Sequence, residues 1–139
     1  MLDLDETLIH CKSFDFDNVT AYLKVELLKI SIRLIKLQVT IGNQEMSLFV
    51  SKRPGLEEFL ARMAQSYNLV LFTSALKEYA HAILKQMKIE KFFCKVLHRG
   101  HCQRNPYRQH EKSLAILRIP PKDIILVDVT VLIRPQCLI

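Results

Sequence analysis

No Cys-x-x-Cys pair occurs in this 139-residue chain, whose four cysteines are Cys11, Cys94, Cys102 and Cys137. That usage argues against a disulfide framework and for a reducing compartment. Cys94, His98, His101 and Cys102 do cluster, but their spacing matches no common zinc site, so buried thiols and ordinary surface histidines are expected. Long apolar runs are missing as well. The most apolar stretch, Leu27 to Ile41, is interrupted by Lys29, Arg33 and Lys36 and does not suit a bilayer span. The first residues are acidic and the apolar run beside them is short, so no secretory signal peptide is expected. Internal repeats, low-complexity tracts, clear linkers and a basic localisation cluster are also absent. What remains is one domain over 1–139, large enough to bury a real core.

Half of the residues are hydrophobic, which fits a globular chain. The formal charge is +6 and the pI is near 9.3. A basic balance suits an anionic ligand such as a phosphorylated chain or a nucleic acid. It suits a solvated basic surface equally well, because only Arg104, Arg108 and Lys112 are near-neighbours in a polar stretch.

The hydrophobic pattern alternates between strand and helix periods. Leu23 to Ile41 alternates with two slips of phase, as strands with bends or bulges do; a helix is the competing reading for Leu27 to Leu37. Gly42-Asn43 marks a turn and Met46 to Val50 a returning strand, so a small antiparallel β insertion is expected over roughly 20–50. Arg53-Pro54-Gly55 opens a helix striped by Leu56, Phe59, Leu60 and Met63. Asn68 to Thr73 reads as a short apolar strand. Leu76, Tyr79, Ala80, Ile83, Leu84 and Met87 stripe a second helix. Phe92 to Leu97 suits another strand, and Glu111 to Leu117 a helix stopped by Pro120-Pro121. Ile124 to Val127 is a continuous apolar run ending at Asp128, as in a buried parallel strand. Helices alternating with buried strands predict an α/β domain.

The opening, Met1-Leu2-Asp3-Leu4-Asp5-Glu6-Thr7-Leu8-Ile9-His10, holds the most specific chemistry. If Leu2 to Leu4 end a strand, the chain turns after them and both carboxylates reach one pocket at the strand's carboxyl end. Open α/β sheets bind ligands at that edge. One carboxylate can be a nucleophile while its neighbour moves a proton, which needs two acids in different environments. Acidic pairs also occur in solvated loops, so the partners decide. Thr73 and Ser74 follow a strand and precede a helix, a place for a phosphoryl oxygen and equally for a helix cap. Lys112 can reach in as a cation for phosphate or stay on the surface. Asp128 ends the last clear strand, where a carboxylate meets a metal or caps a turn.

Taken in order, the strings Leu2 to His10, Arg53 to Leu60, Leu71-Phe72-Thr73-Ser74 leading to Tyr79-Ala80, His98-Arg99 with Cys102, and Lys112 through Asp128 resemble the small carboxy-terminal-domain phosphatases. These are also called nuclear LIM interactor-interacting-factor-like phosphatases and belong to the haloacid dehalogenase superfamily. The resemblance runs through nearly the whole chain. It implies an α/β, haloacid-dehalogenase-like doubly wound sheet, mostly parallel, with the small β insertion. It implies a protein serine/threonine phosphatase working through an aspartyl-phosphate, notably on the polymerase II tail. Asp3 is then the nucleophile, and Asp5 the acid and later the base. Thr73, Ser74 and Lys112 hold the phosphoryl group, with Arg99 a candidate substrate contact. Mg2+ is held by the Asp3 carboxylate, the Asp5 main-chain carbonyl and Asp128. The partner is a phosphorylated protein, with no direct nucleic-acid contact, in the nucleus or cytoplasm.

The chain also departs from the family. Val129 stands where the family has a magnesium-binding asparagine, and valine has no donor atom; Thr130 or water would have to serve. Ser113 follows Lys112 where the family has aspartate. Only Met1 and Leu2 precede Asp3, so the central strand should lose ladder hydrogen bonds, and Val131 to Ile139 resembles the family poorly. The chain therefore reads as a truncated or diverged member. These departures keep open a catalytically impaired binding module, similar to a mitochondrial inner-membrane translocase subunit on the same fold. An unrelated phosphate-accepting receiver is disfavoured by Arg53-Pro54-Gly55 and the β insertion.

Overall fold

The computed structural model describes residues 1–13, 34–42, 44–106 and 110–129. In chain order its strands are β1 (Ile9–Ser13), β2 (Leu34–Ile41), β3 (Gln44–Lys52), β4 (Val70–Phe72), β5 (Lys95–Leu97), β6 (Gln103–Arg104) and β7 (His110–Glu111). Two α-helices are described, α1 (Leu56–Met63) and α2 (Lys77–Gln86).

Four segments run parallel at the centre. Leu2 bridges Leu71 on one side and Val127 on the other, and β4 pairs with β5 through Val70↔Lys95 to Phe72↔Leu97. The spatial order is therefore the segment at Val127, the segment at Leu2, β4, then β5. The short opening segment does not lose its ladder. Leu2 N–H donates to Val70 O at 2.9 Å, and Phe72 N–H returns to Leu2 O at 2.9 Å. On the far side Asp3 N–H donates to Val127 O at 3.0 Å, and Val127 N–H to Met1 O at 2.9 Å. The Met1 ammonium adds a bond to Ile125 O at 2.6 Å. Three residues thus meet two neighbours, because backbone groups inside a sheet must be paired wherever they are buried.

Strand β4 is buried on both faces. Leu69 and Leu71 join the main core with Leu2, Leu4, Leu60, Ile83 and Leu84, while Val70 and Phe72 join a smaller cluster with Leu97. Successive side chains point to opposite sides, so a strand covered twice is apolar throughout. The expected run from Ile124 to Val127 behaves differently. Val127 makes a single bridge, and Ile125 and Val127 are 62% and 44% exposed. Among the described residues it lies at the outer edge of the parallel set, with the three-residue opening segment as its neighbour.

The antiparallel sheet has the order β1-β3-β2. Of the expected insertion, β2, β3 and the turn at Gly42 (φ 62°) are described, whereas 14–33 lie outside the described residues. Leu37 and Val39 are buried while Lys36, Gln38 and Thr40 are exposed, which is the period-two pattern. Leu34 to Leu37 are strand, so the helical alternative fails there. Strand β1 has no counterpart among the expected elements; its pairing with β3 from Ile9↔Lys52 onward ties the opening loop to this sheet.

The helix expected over Glu111 to Leu117 is replaced by β7, paired with β6, and a 3₁₀ turn at Leu114–Leu117. Seven residues before Pro120-Pro121 are too few for a stable α-helix, and a strand pairing satisfies part of the backbone instead. Helix α1 begins after Gly55, which sits at φ 74°. A Cβ there would touch nothing within 4 Å, so only backbone strain opposes a larger residue. Gly55→Ala is expected to lower stability by about 1 kcal/mol in a urea melt, the strain of an L-residue in the left-handed region.

Candidate active site

The ladder at Leu2 decides where the acids stand. Because Leu2 lies opposite Val127, the next residues, Asp3 and Asp128, leave the sheet side by side at its carboxyl edge. Lys112 fills the space between them. Its Nζ lies 2.6 Å from Asp3 Oδ1 and 2.6 Å from Asp128 Oδ2, and all three side chains are nearly removed from solvent. Lys112 comes from the irregular stretch between β7 and the 3₁₀ turn, not from a helix start as expected. Burial pushes the Asp3 carboxyl above its usual range, and the Lys112 hydrogen bond and charge offset part of that rise.

Asp5 has a separate environment. Tyr79 on α2 donates its phenolic hydrogen to Asp5 Oδ1 at 2.6 Å. Burial raises the Asp5 carboxyl, while the Tyr79 hydrogen bond pulls it back down. The phenol itself is pushed far up, by burial first and then by Asp5. Two acids two residues apart thus have different partners, a cation for Asp3 and a neutral donor for Asp5.

The turn that follows them is held from outside. Glu6 sits at φ 60°, unusual for a residue with a side chain. Arg53 donates from Nε to Thr7 O at 2.6 Å and from its terminal nitrogen to Glu6 O at 2.9 Å. Its own backbone N–H reaches Leu8 O at 3.0 Å. Arg53-Pro54-Gly55 therefore does two jobs, opening α1 and clamping the acid loop.

Thr73 ends β4, fully buried, and its Oγ1 accepts from Ala75 N–H at 3.1 Å. The threonine caps the local turn, not α2, whose first residue follows Leu76 without a side-chain cap. Ser74 is exposed, and its carbonyl accepts from Arg99 Nε at 2.8 Å. Arg99 N–H also donates to Ala75 O at 2.8 Å, so the loops after β4 and β5 are stitched together. Asp3, Lys112 and Asp128 are in direct contact; Asp5 joins through the same loop; Thr73, Ser74 and Arg99 stand on adjacent loops of the same edge.

Sequence reasoning does not single out Tyr79 and Arg53 as site residues. Periodicity places Tyr79 in a core stripe, yet a tyrosine there carries a hydroxyl that needs a partner once covered. The expected buried thiols are also corrected: Cys94 is exposed, and Cys11 and Cys102 are only half-buried. His98 and His101 pack edge-on at 4.2 Å and cap a 3₁₀ turn. No group of three or more metal-ligating side chains occurs among the described residues.

The donor set fits a hydrated hard cation. Mg2+ commonly takes one or two carboxylates and keeps several waters. Asp3 and Asp128 are two hard oxygen donors on one edge, and the Asp5 main-chain carbonyl is a third candidate. Val129 offers nothing: it is 59% exposed and lines an open cavity of about 420 Å³ with Leu8, Leu56, Phe59, Val127 and Asp128.

A family model described as NLI interacting factor-like phosphatase matches residues 1–132. Phosphatase PSR1 of Saccharomyces cerevisiae is 32% identical over 128 residues, covering 92% of this chain and 26% of that protein. CTD small phosphatase-like protein 3 of Caenorhabditis elegans is 33% identical over 128 residues, covering 91% of this chain and 39% of that protein. Among solved structures, the fission yeast RNA polymerase II CTD phosphatase Fcp1 bound to beryllium fluoride aligns with a TM-score of 0.64 at 23% identity. That alignment covers 90% of this chain and 35% of the other. The likeness shows a haloacid-dehalogenase-like α/β fold. The chain spans well under half the length of each of these relatives.

Two outcomes are expected from this geometry. Lys112→Ala leaves two facing carboxylates covered without their cation and should destabilise the metal-free chain by about 3–5 kcal/mol at pH 7. The Asp3 carboxyl, already raised, then holds its proton to higher pH in the folded chain than in the unfolded one. Stability must therefore fall as pH rises above the ordinary carboxylate value, and urea melts at pH 4.5 should recover part of the loss. Val129→Asn should tighten Mg2+ binding by about 1–3 kcal/mol in calorimetry, the worth of one added polar contact. Unchanged affinity would mean that position 129 does not face the cation.

Proposed function

The chain belongs to the NLI interacting factor-like phosphatase family, and we propose that it is a magnesium-dependent protein serine/threonine phosphatase acting through an aspartyl-phosphate on Asp3. One observation carries this: a carboxylate neutralised by a covered ammonium stands two residues from a second acid with its own, uncharged partner. We read 1–139 as one phosphatase domain and the parallel order around Leu2 as the centre of a doubly wound sheet.

Asp3 attacks phosphorus, and its bond to phosphorus forms as the serine or threonine ester bond breaks. Asp5 gives the leaving oxygen its proton; a raised carboxyl pKa keeps that proton available. Water then gives a proton to Asp5 as its oxygen bonds phosphorus and the Asp3–phosphorus bond breaks. Repulsion between an anionic nucleophile and an anionic phosphate opposes the first step, by about 4 kcal/mol for two unit charges 4 Å apart near a protein surface. Lys112 removes much of that term by standing against Asp3, and its ammonium with the Thr73 loop receives the phosphoryl oxygens. Mg2+, which the Asp3 and Asp128 carboxylates would hold, would supply further charge neutralisation. Arg99, exposed beside Ser74, suits an anionic residue of the substrate.

The substrate on this reading is a phosphorylated protein of the nucleus or cytoplasm. One structural relative, Fcp1, is a phosphatase of the RNA polymerase II CTD, so that tail is the phosphoprotein to assay first. The relatives give no support to the translocase-like binding module or to a mitochondrial setting. The test is phosphate release from a phosphoserine peptide with Mg2+. The wild-type chain should turn over, and Asp3→Asn should lose activity by about a thousand-fold or more, as for removal of a covalent nucleophile. Equal rates would remove Asp3 from its role.

A further inference from the structure

Tyr79 is the polar side chain that grips Asp5, although the resemblance to the family assigns it no role at the site. Its ring belongs to the apolar stripe of α2, one residue before the fully buried Ala80, and packs against the main core. Its hydroxyl emerges from that stripe to meet Asp5 Oδ1 at 2.6 Å. The Cys11 thiol, on the strand that follows the acid loop, interacts with the same hydroxyl. The phenol is thus fixed at the ring by packing and at the oxygen by its hydrogen bond to Asp5. The backbone of the loop is independently held by Arg53. Asp5 therefore sits between a clamped main chain and a clamped donor.

Resting on the phosphatase reading above, we propose that Tyr79 is a positioning residue that selects which oxygen of Asp5 carries the transferable proton. A phenol can donate only one hydrogen bond, and it gives it to Oδ1. A proton on the carboxyl group must then sit on Oδ2. During phosphoryl transfer that proton moves from Oδ2 to the ester oxygen as the phosphorus–ester bond breaks and the Asp3–phosphorus bond forms. In the second step Oδ2 takes a proton from water, and the phenol keeps its own throughout. Without the phenol the carboxyl group can rotate and place its proton on either oxygen, and a general acid out of line loses most of its benefit.

The leaving group separates this role from general support of the fold. A serine alkoxide is a poor leaving group and needs the proton; a nitrophenolate leaves without it. With enzyme in excess and Mg2+ present, product release reports the phosphoryl-transfer step alone. Tyr79→Phe keeps the ring and should slow release of a serine peptide by about 10- to 100-fold. It should slow nitrophenolate release from p-nitrophenyl phosphate by less than about three-fold, because that ester draws little on the acid. In an Asp5→Asn background, Tyr79→Phe should have no further effect on the peptide. Equal losses on the two esters, or an additive loss in the Asp5→Asn background, overturn the assignment. A measurement on the intact side chain does not depend on whether any Tyr79 variant folds. The Tyr79 Cζ resonance should shift in Asp5→Asn and stay in place in Asp3→Asn; a resonance indifferent to Asp5→Asn overturns the pairing. A wild-type chain inert towards both esters would overturn the phosphatase reading and this role with it. Losses confined to neither ester, with an active wild type, would overturn this role alone.

Discussion

The ammonium of Lys112, wedged between two covered carboxylates, is the interaction on which the rest of the arrangement depends. Without it Asp3 and Asp128 would be two like charges leaving the sheet edge side by side, and one would have to take up a proton or the edge would have to open. With it, Asp3 can remain charged in a place where burial opposes charge. A buried ion triad of this kind adds little net stability, since desolvation consumes most of its attraction. On the proposed reading its role is chemical, since a neutralised anion facing a phosphate is worth several kcal/mol.

The backbone sets this up with few residues. Leu2 makes ladder bonds on both sides, and its register with Val127 and Leu71 lines up the three chain exits that carry Asp3, Asp128 and the Thr73 loop. The acid loop then turns sharply through Glu6 and is tied to α1 by Arg53 and to the antiparallel sheet by β1. The two acids share a loop yet face different partners, a cation for Asp3 and an uncharged donor for Asp5, although they are only two residues apart.

Much of this is legible in the sequence. Asp3, Asp5, Thr73, Lys112 and Asp128 are identifiable from motif order, and Leu37 and Val39 from alternation. Helix α2 is legible because Ala80, Ile83, Leu84 and Met87 repeat at the helical period and are all buried. Other features depend on pairings that no local pattern announces. The ladder around Leu2 joins the two ends of the chain, Leu2 to Val127. Lys112 looks like a helical residue because Glu111 to Leu117 is apolar enough, yet β7 takes its first part. Tyr79 is hidden inside a stripe whose period describes its ring and not its hydroxyl. Ile124 to Val127 looks buried because a continuous apolar run records composition, not what lies against it.

If the proposed chemistry holds, Asp3 becomes covalently phosphorylated during turnover. The most direct measurement quenches the wild-type chain in acid during steady turnover of a phosphoserine peptide, reduces the acyl phosphate with borohydride and locates the reduced side chain by peptide mass spectrometry. Reduction confined to the carboxyl group of residue 3 is the predicted result. Reduction at Asp5, at Asp128 or at no residue, while phosphate release proceeds, would contradict it.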